Sequence, residues 1–235
     1  MLDTTEKLTH VSLCAGYGGI DLGLARVLPG LRTIAFVEIE AFACANLIAK
    51  MEAGLLDEAP VFTNLKALDW GSFRGGVDVL SGGFPCQPFS AAGKQRGDED
   101  PRHLFPYIVE GIRQCEPRLV FLENVEGILS AKLKGNHWRD PEGAPVLLHV
   151  LRELERLGYS ATAGVFSAAE VGAPHQRKRV FIMAYRDGDG SAARISRQVT
   201  GDEGNTGIAD NGCCEAVWPS RPGESQHGWE PPRVC

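Results

Sequence analysis

The sequence predicts an α/β fold built on a doubly wound, mostly parallel sheet. Three observations carry that expectation. Residues 8–14 read as a strand, Ala15-Gly16-Tyr17-Gly18-Gly19 as a tight glycine turn, and residues 20–27 as a helix with Ile20, Leu22, Leu24 and Val27 spaced for one face. Strand, glycine turn and helix form the nucleotide-binding opening of such a sheet. Short apolar runs then alternate with helical stretches along the chain. Two of those runs, 77–80 and 119–122, lead directly into residues that can do chemistry.

The glycine turn alone is equally compatible with a plain β–α connection. The dinucleotide fingerprint requires glycine at its first, third and sixth positions; here these are Gly16, Gly18 and Asp21, which weighs against a nicotinamide enzyme. Residues 33–38 form a second strand ending in Glu38. A carboxylate there suits a ribose diol, because it accepts two hydroxyl hydrogen bonds, and its spacing of 20 residues from Gly18 favours that role over a solvated strand end. Residues 41–51 are an alanine-rich helical stretch and 61–65 a short third strand.

The fourth strand, 77–80, runs out through Gly82-Gly83-Phe84-Pro85-Cys86-Gln87-Pro88-Phe89-Ser90. Prolines on both sides of Cys86 fix φ and stiffen the loop, and the preceding glycines allow close approach to a ligand. A thiol on a rigid loop at the carboxyl end of a strand is placed for covalent chemistry. Residues 91–102 form a polar loop with Lys94, Arg96 and Arg102 available for phosphates, although acids at 98–100 offset them.

Residues 104–115 are an amphipathic helix. The apolar run 119–122 continues into Glu123-Asn124-Val125, so a carboxyl and a thiol are expected at one cleft, at the carboxyl ends of parallel strands. The basic segment 132–139, with Trp138, fits either a nucleic-acid contact or plain surface. Residues 146–157 read as a helix, and 159–166 and 179–185 as two strands separated by the basic turn 173–178. From 187 onward there is no periodic apolar pattern, so the expected organisation is a catalytic domain over 1–186 followed by a linker, a disordered tail or the start of a truncated module over 187–235.

The 235 residues suffice for one domain with a real core. A net charge of −6 argues against a general nucleic-acid coat but not against docking through local basic clusters. Seven cysteines at irregular positions include no Cys-x-x-Cys pair, so neither a metal ribbon nor a disulfide framework is expected, and a reducing compartment fits best. There is no run of 18 apolar residues and no signal-peptide pattern.

In order and content, residues 8–185 resemble the cytosine-C5 DNA methyltransferase family of the prokaryotic and phage type. Residues 13–24 are similar to its first cofactor motif, Phe84-Pro85-Cys86-Gln87-Pro88-Phe89-Ser90 to its nucleophile loop and Glu123-Asn124-Val125 to its Glu-Asn-Val motif. His175-Gln176-Arg177-Lys178-Arg179 resembles its Gln-x-Arg-x-Arg motif. The resemblance implies a Rossmann-like S-adenosylmethionine-dependent fold with a C-terminal antiparallel strand. It implies S-adenosyl-L-methionine on Cys14, Ala15, Gly16, Tyr17, Gly18, Gly19, Glu38, Ile39, Asn64 and Pro85. Cys86 would attack C6 of a cytosine flipped from double-stranded DNA, Glu123 would hold N3, and Arg177 and Arg179 would line the base pocket. Gln87, Ser90, Lys94, Arg96 and Asn124 would contact DNA.

A cytoplasmic enzyme of the restriction–modification type is implied. The family commonly has Phe where Cys14 stands, Asp where Asn64 stands and Gln where His175 stands, departures that bear on cofactor affinity. Family members also carry a target-recognition region and a final cofactor-pocket motif that are not visible before Cys235. Two alternatives therefore stand beside the complete enzyme: a catalytic lobe that needs a second polypeptide, and a tRNA methyltransferase of the same chemistry. Residues 218–234 resemble the start of the recognition region in phage-borne members, which favours DNA.

Overall fold

The computed structural model describes residues 7–85, 104–132 and 144–188. Within them, seven strands form one sheet in the order β3-β2-β1-β4-β5-β7-β6. They are β1 (Leu8–Leu13), β2 (Leu31–Val37), β3 (Val61–Phe62), β4 (Val79–Gly83), β5 (Leu119–Val125), β6 (Tyr159–Phe166) and β7 (Arg179–Arg186). The pairs β1–β2, β1–β4, β2–β3 and β4–β5 are parallel, and β7 runs antiparallel to both β5 and β6. The expected doubly wound sheet with a reversed C-terminal strand is the observed one.

Helices α1 (Gly19–Val27) and α2 (Ala41–Glu52) cover one face, and α3 (Phe105–Cys115) and α4 (Val146–Arg156) the other. The alternation within strands sorts side chains between them. Val11, Leu13, Leu80, Val120 and Leu122 join the large core under α3 and α4. Val79 and Leu119 pack with Leu24 of α1 and with Leu28 just after it, and Phe36 packs with Leu47 and Met51 of α2.

Among the strand boundaries that differ from expectation, two have clear local causes. The third strand stops at Phe62 because Asn64 caps a short 3-10 turn, its Oδ1 accepting from the Lys66 N–H at 3.0 Å; such side-chain bonds compete with the ladder. The fourth strand extends through Gly82 and Gly83. A Cβ on Gly82 would lie 3.0 Å from the Leu13 carbonyl oxygen, so glycine is what lets β4 lie this close to β1. The last strand, β7, ends at Arg186, and residues 189–235 lie outside the described ones.

Candidate active site

The order of the sheet reverses between β1 and β4, and in open α/β sheets the ligand crevice opens at that point, beyond the carboxyl ends of the strands. Four strands deliver residues there: Cys14 follows β1, Glu38 follows β2, Gly83 closes β4, and Glu123 lies near the end of β5.

The glycine turn is shaped by its backbone. Cys14, Gly16 and Gly18 all have positive φ (49°, 54° and 74°). A side chain at Gly16 would meet nothing within 4 Å, so the turn has open space above it, whereas one at Gly18 would press on Leu56 and Leu47 of the core beneath. Gly18 is favoured by its left-handed φ of 74° and lies against the core, and Gly16 faces the crevice. Burial, with the Glu38 charge adding to it, pushes the Cys14 thiol up to about 12, so this cysteine is an inert wall rather than a nucleophile.

Glu38 is buried, and each of its carboxylate oxygens takes one backbone donor. The Gly16 N–H donates to Oε2 at 2.7 Å and the Glu40 N–H to Oε1 at 2.8 Å. A carboxylate oxygen accepts more than one hydrogen bond, so both retain capacity toward the crevice while the pair of N–H groups fixes their direction. Beside it, Ile39 is 80% exposed and Tyr17 60% exposed, an apolar surface flanking an oriented acid. Asn64 is exposed, and its amide oxygen already serves Lys66; the expected role of that oxygen must be shared with the cap. Pro85 is half-buried directly after Phe84. This set (open glycine turn, oriented carboxylate, exposed apolar side chain) is of the right chemistry for a nucleoside with a charged tail.

On the other side of the crevice, Glu123 Oε1 lies 2.7 Å from Arg179 Nε. The pairing follows from register: Glu123 stands opposite Phe181 and Val125 opposite Arg179 on the antiparallel pair, so the two side chains meet diagonally on one face. Burial raises the Glu123 pKa above its ordinary value, while first Arg179 and then Arg177 pull it down. Glu123 also pairs with Gly83 across β4–β5. A Cβ at Gly83 would come within 3.2 Å of Glu123 Oε2 and 4.0 Å of the Cys14 carbonyl oxygen. The glycines read from sequence as a close approach to ligand are therefore needed first for the approach of strand to strand and of strand to carboxyl.

Arg177 is exposed and carries φ 27°, an unusual value for a residue with a side chain, in the turn that feeds β7. Asn124 departs from its expected place among the DNA contacts. It is 1% exposed; its Nδ2 donates to the Phe84 carbonyl at 3.0 Å, and its Oδ1 accepts from the Val125 N–H at 2.8 Å. Its side chain points into the core face opposite to Glu123, as alternation along β5 dictates. Cys86, Gln87, Ser90, Lys94 and Arg96 lie outside the described residues.

A polar network under the crevice was missed from the sequence. His10, fully buried on β1, has Nδ1 3.0 Å from Thr33 Oγ1 and Nε2 2.8 Å from Ser81 Oγ. Asp21 of α1 lies 3.9 Å from His10 Nδ1. Alternation of His10 and Ser12 with Val11 and Leu13 was the available clue to a polar face.

The family model for C-5 cytosine-specific DNA methylase matches residues 8–205. The chain belongs to that family. Among methylase relatives, the type II methyltransferase M.NgoMIV of Neisseria gonorrhoeae is 34% identical over 181 residues, covering 77% of this chain and 53% of the relative. M.NaeI of Lentzea aerocolonigenes is 33% identical over 187 residues, covering 77% and 41%. The chain thus spans about half the length of these relatives. Solved structures share the methylase fold: a Spodoptera frugiperda DNMT2 mutant has TM-score 0.60 at 22% identity over 78% of this chain and 51% of its own. The S. pombe Dnmt2 methyltransferase has 0.59 at 21%, over 78% and 52%.

Proposed function

We propose that this chain is the catalytic lobe of a DNA cytosine-C5 methyltransferase that acts through a covalent adduct between Cys86 and C6 of a flipped cytosine. The observation that carries this reading is the placement of Glu123. It is fixed by Arg179 at 2.7 Å, raised in pKa by burial, and in register with Gly83, three residues before Cys86. Successive Cα atoms are about 3.8 Å apart, so chain connectivity keeps the Cys86 Cα within roughly 11 Å of that of Gly83.

S-adenosyl-L-methionine, when bound, supplies an electrophilic methyl group. The turn 14–19 and Pro85 would hold it, with Glu38 on the ribose hydroxyls and Ile39 and Asn64 toward the adenine. Cytosine C5 is a poor nucleophile until a thiolate adds at C6 and makes C5 an enamine carbon. A free thiol has a pKa of about 8.5, so Cys86 must be helped to ionise by cations or backbone donors. Addition places charge on N3, where a carboxyl whose proton affinity burial raises, such as Glu123, would supply a hydrogen bond or a proton. A base then removes the C5 proton and the thiolate leaves. Arg177 and Arg179 would border the pocket. Extrusion of the base loses a few kcal/mol of stacking, which contacts to the flipped nucleotide offset in part.

The test is an oligonucleotide containing 5-fluorocytosine, incubated with the chain and S-adenosylmethionine and resolved on a denaturing gel. A retarded adduct that disappears in Cys86→Ala is expected; an adduct that persists in the variant overturns the assignment. A parallel RNA oligonucleotide separates a DNA enzyme from a tRNA enzyme of the same chemistry.

A second reading is favoured by one feature. Tyr17, Ile39 and Phe42 expose apolar side chains around the glycine turn, at 60%, 80% and 79%. In a chain whose match spans about half the length of its relatives, these suit a lobe whose remaining pocket wall comes from another polypeptide. Calorimetric titration with S-adenosylmethionine separates the two: micromolar binding by this chain alone argues against a missing wall.

A further inference from the structure

At the rim of the sheet opposite to Glu123, where β4 and β5 begin and β7 ends, lies a cleft of about 440 Å³. Four arginines from separate parts of the fold line it: Arg74 before β4, Arg113 in the last turn of α3, Arg118 before β5 and Arg186 at the end of β7. Only two acids, Asp78 and Glu116, are among the lining residues, and the whole chain carries a net charge of −6. A concave concentration of cations on an acidic protein is unlike the dispersed mixed charge of an ordinary surface.

Three of the four cations are paired with carboxylates, Arg118 with Asp78, Arg186 with Glu116 and Arg113 with Glu110, which leaves Arg74 in excess. Asp78 Oδ2 is taken by Thr9, whose N–H and hydroxyl donate to it at 2.8 and 2.9 Å, and Oδ1 is 3.7 Å from Arg118. Glu116 is largely exposed, its Oε2 3.5 Å from Arg186 Nη1, which itself donates to the Glu116 carbonyl at 2.8 Å. These contacts hold the two inner guanidinium groups in place. Arg113 gives Nε and Nη2 to Glu110, at 2.9 and 2.6 Å, and a guanidinium has further donors. Arg74 makes no ion pair among the described residues, yet its charge reaches the buried Cys115 thiol at the floor of the cleft.

We propose that this cleft is an anion site for phosphate, carried either by a small polyphosphate or by the backbone of a nucleic acid, and separate from the methyl-transfer crevice. Planar guanidinium groups converging from several directions match the several oxygens of a phosphate, which one point charge does not. The volume falls in the range of small-ligand pockets, roughly 300–1,000 Å³. Val77 and Cys115 give it an apolar floor beneath the charged rim. The site is independent of the function proposed above and stands or falls without it.

The test titrates the full chain by calorimetry with sodium tripolyphosphate and, separately, with a short oligothymidylate, which contains no cytosine. Saturable binding of at least one probe is expected, weakened about tenfold or more in the Arg74→Gln/Arg113→Gln double variant. Binding of tripolyphosphate identifies a free polyphosphate as sufficient; binding of the oligothymidylate alone identifies the phosphodiester backbone. Absence of saturable binding by both probes, or full retention of binding in the double variant, overturns the proposal. Both substituted side chains lie on the surface; if the double variant nevertheless melts early, Arg74→Gln alone replaces it under the same criteria.

Discussion

The side-chain amide of Asn124 donates to the Phe84 carbonyl at 3.0 Å, tying the end of β5 to the strand exit two residues before Cys86. Its other end is closed by the Val125 N–H. Asn124→Ala leaves both backbone groups without their buried partner. A loss of about 1–3 kcal/mol in denaturant unfolding is expected, with adduct formation on 5-fluorocytosine slowed at temperatures where the variant is still folded. An Asn124→Ala chain that forms adduct at the wild-type rate would show that this tie does not position the loop.

Gly83 and Gly111 differ in what an added methyl group would meet. At Gly83 a methyl group meets the Glu123 carboxylate at 3.2 Å, a contact relieved by a small shift of that side chain. Gly83→Ala should leave the melting temperature nearly unchanged and reduce adduct formation. At Gly111 the same methyl would lie 2.4 Å from the Trp70 ring, inside the core. Gly111→Ala should destabilise by about 1–3 kcal/mol. Thermal unfolding and the gel assay on both variants check the contrast.

Arg179 and Arg177 lower a Glu123 pKa that burial raises. Arg179→Gln removes the larger of the two opposing charges, so the carboxyl should titrate at still higher pH. A raised folded-state pKa means that the folded chain binds this proton more tightly than the unfolded chain. Its contribution to stability therefore falls as pH rises from the ordinary glutamate value to the raised one. Carbon-13 NMR of side-chain-labelled glutamate reads the shift directly; an unchanged midpoint in Arg179→Gln contradicts it.

His10 works in the opposite sense. Burial lowers its pKa to about 4, so between its ordinary value and that one the unfolded chain binds a proton that the folded chain refuses. Stability is then lost as pH falls from about 6.5 toward 4, by on the order of 3 kcal/mol. Asp21, 3.9 Å away, is raised by burial and opposes this trend over part of the range. Comparing unfolding free energies of the native chain and His10→Gln across that range isolates the histidine: the variant should lose less stability on acidification.

Residues whose role rests on chain direction were readable from sequence; those whose role rests on which face they occupy were not. The strand at 159–166, the helices, and the arrival of Glu123 at a strand end follow from apolar period and breakers, and all appear in the structure. Asn124 sits one residue from Glu123 in a motif, yet alternation along β5 sends the two to opposite faces, so one borders the crevice and the other is a core tie. Gly82 and Gly83 looked like room for a ligand because a sequence does not show that Leu13 and Glu123 are the neighbours they must clear. The His10 network needed three strands and a helix to be assembled before it existed at all.

Because β7 is reversed, the two ends of the hairpin it forms with β6 have different destinations. The turn between them, residues 167–178, emerges at the crevice, whereas the backbone leaving Arg186 emerges on the far side of the sheet. Eight residues of strand at about 3.3 Å each put those two exits roughly 25 Å apart. Polypeptide grafted into the 167–178 turn would arrive above the crevice at once. Any polypeptide joined at Arg186 would need at least seven or eight extended residues to reach the same crevice.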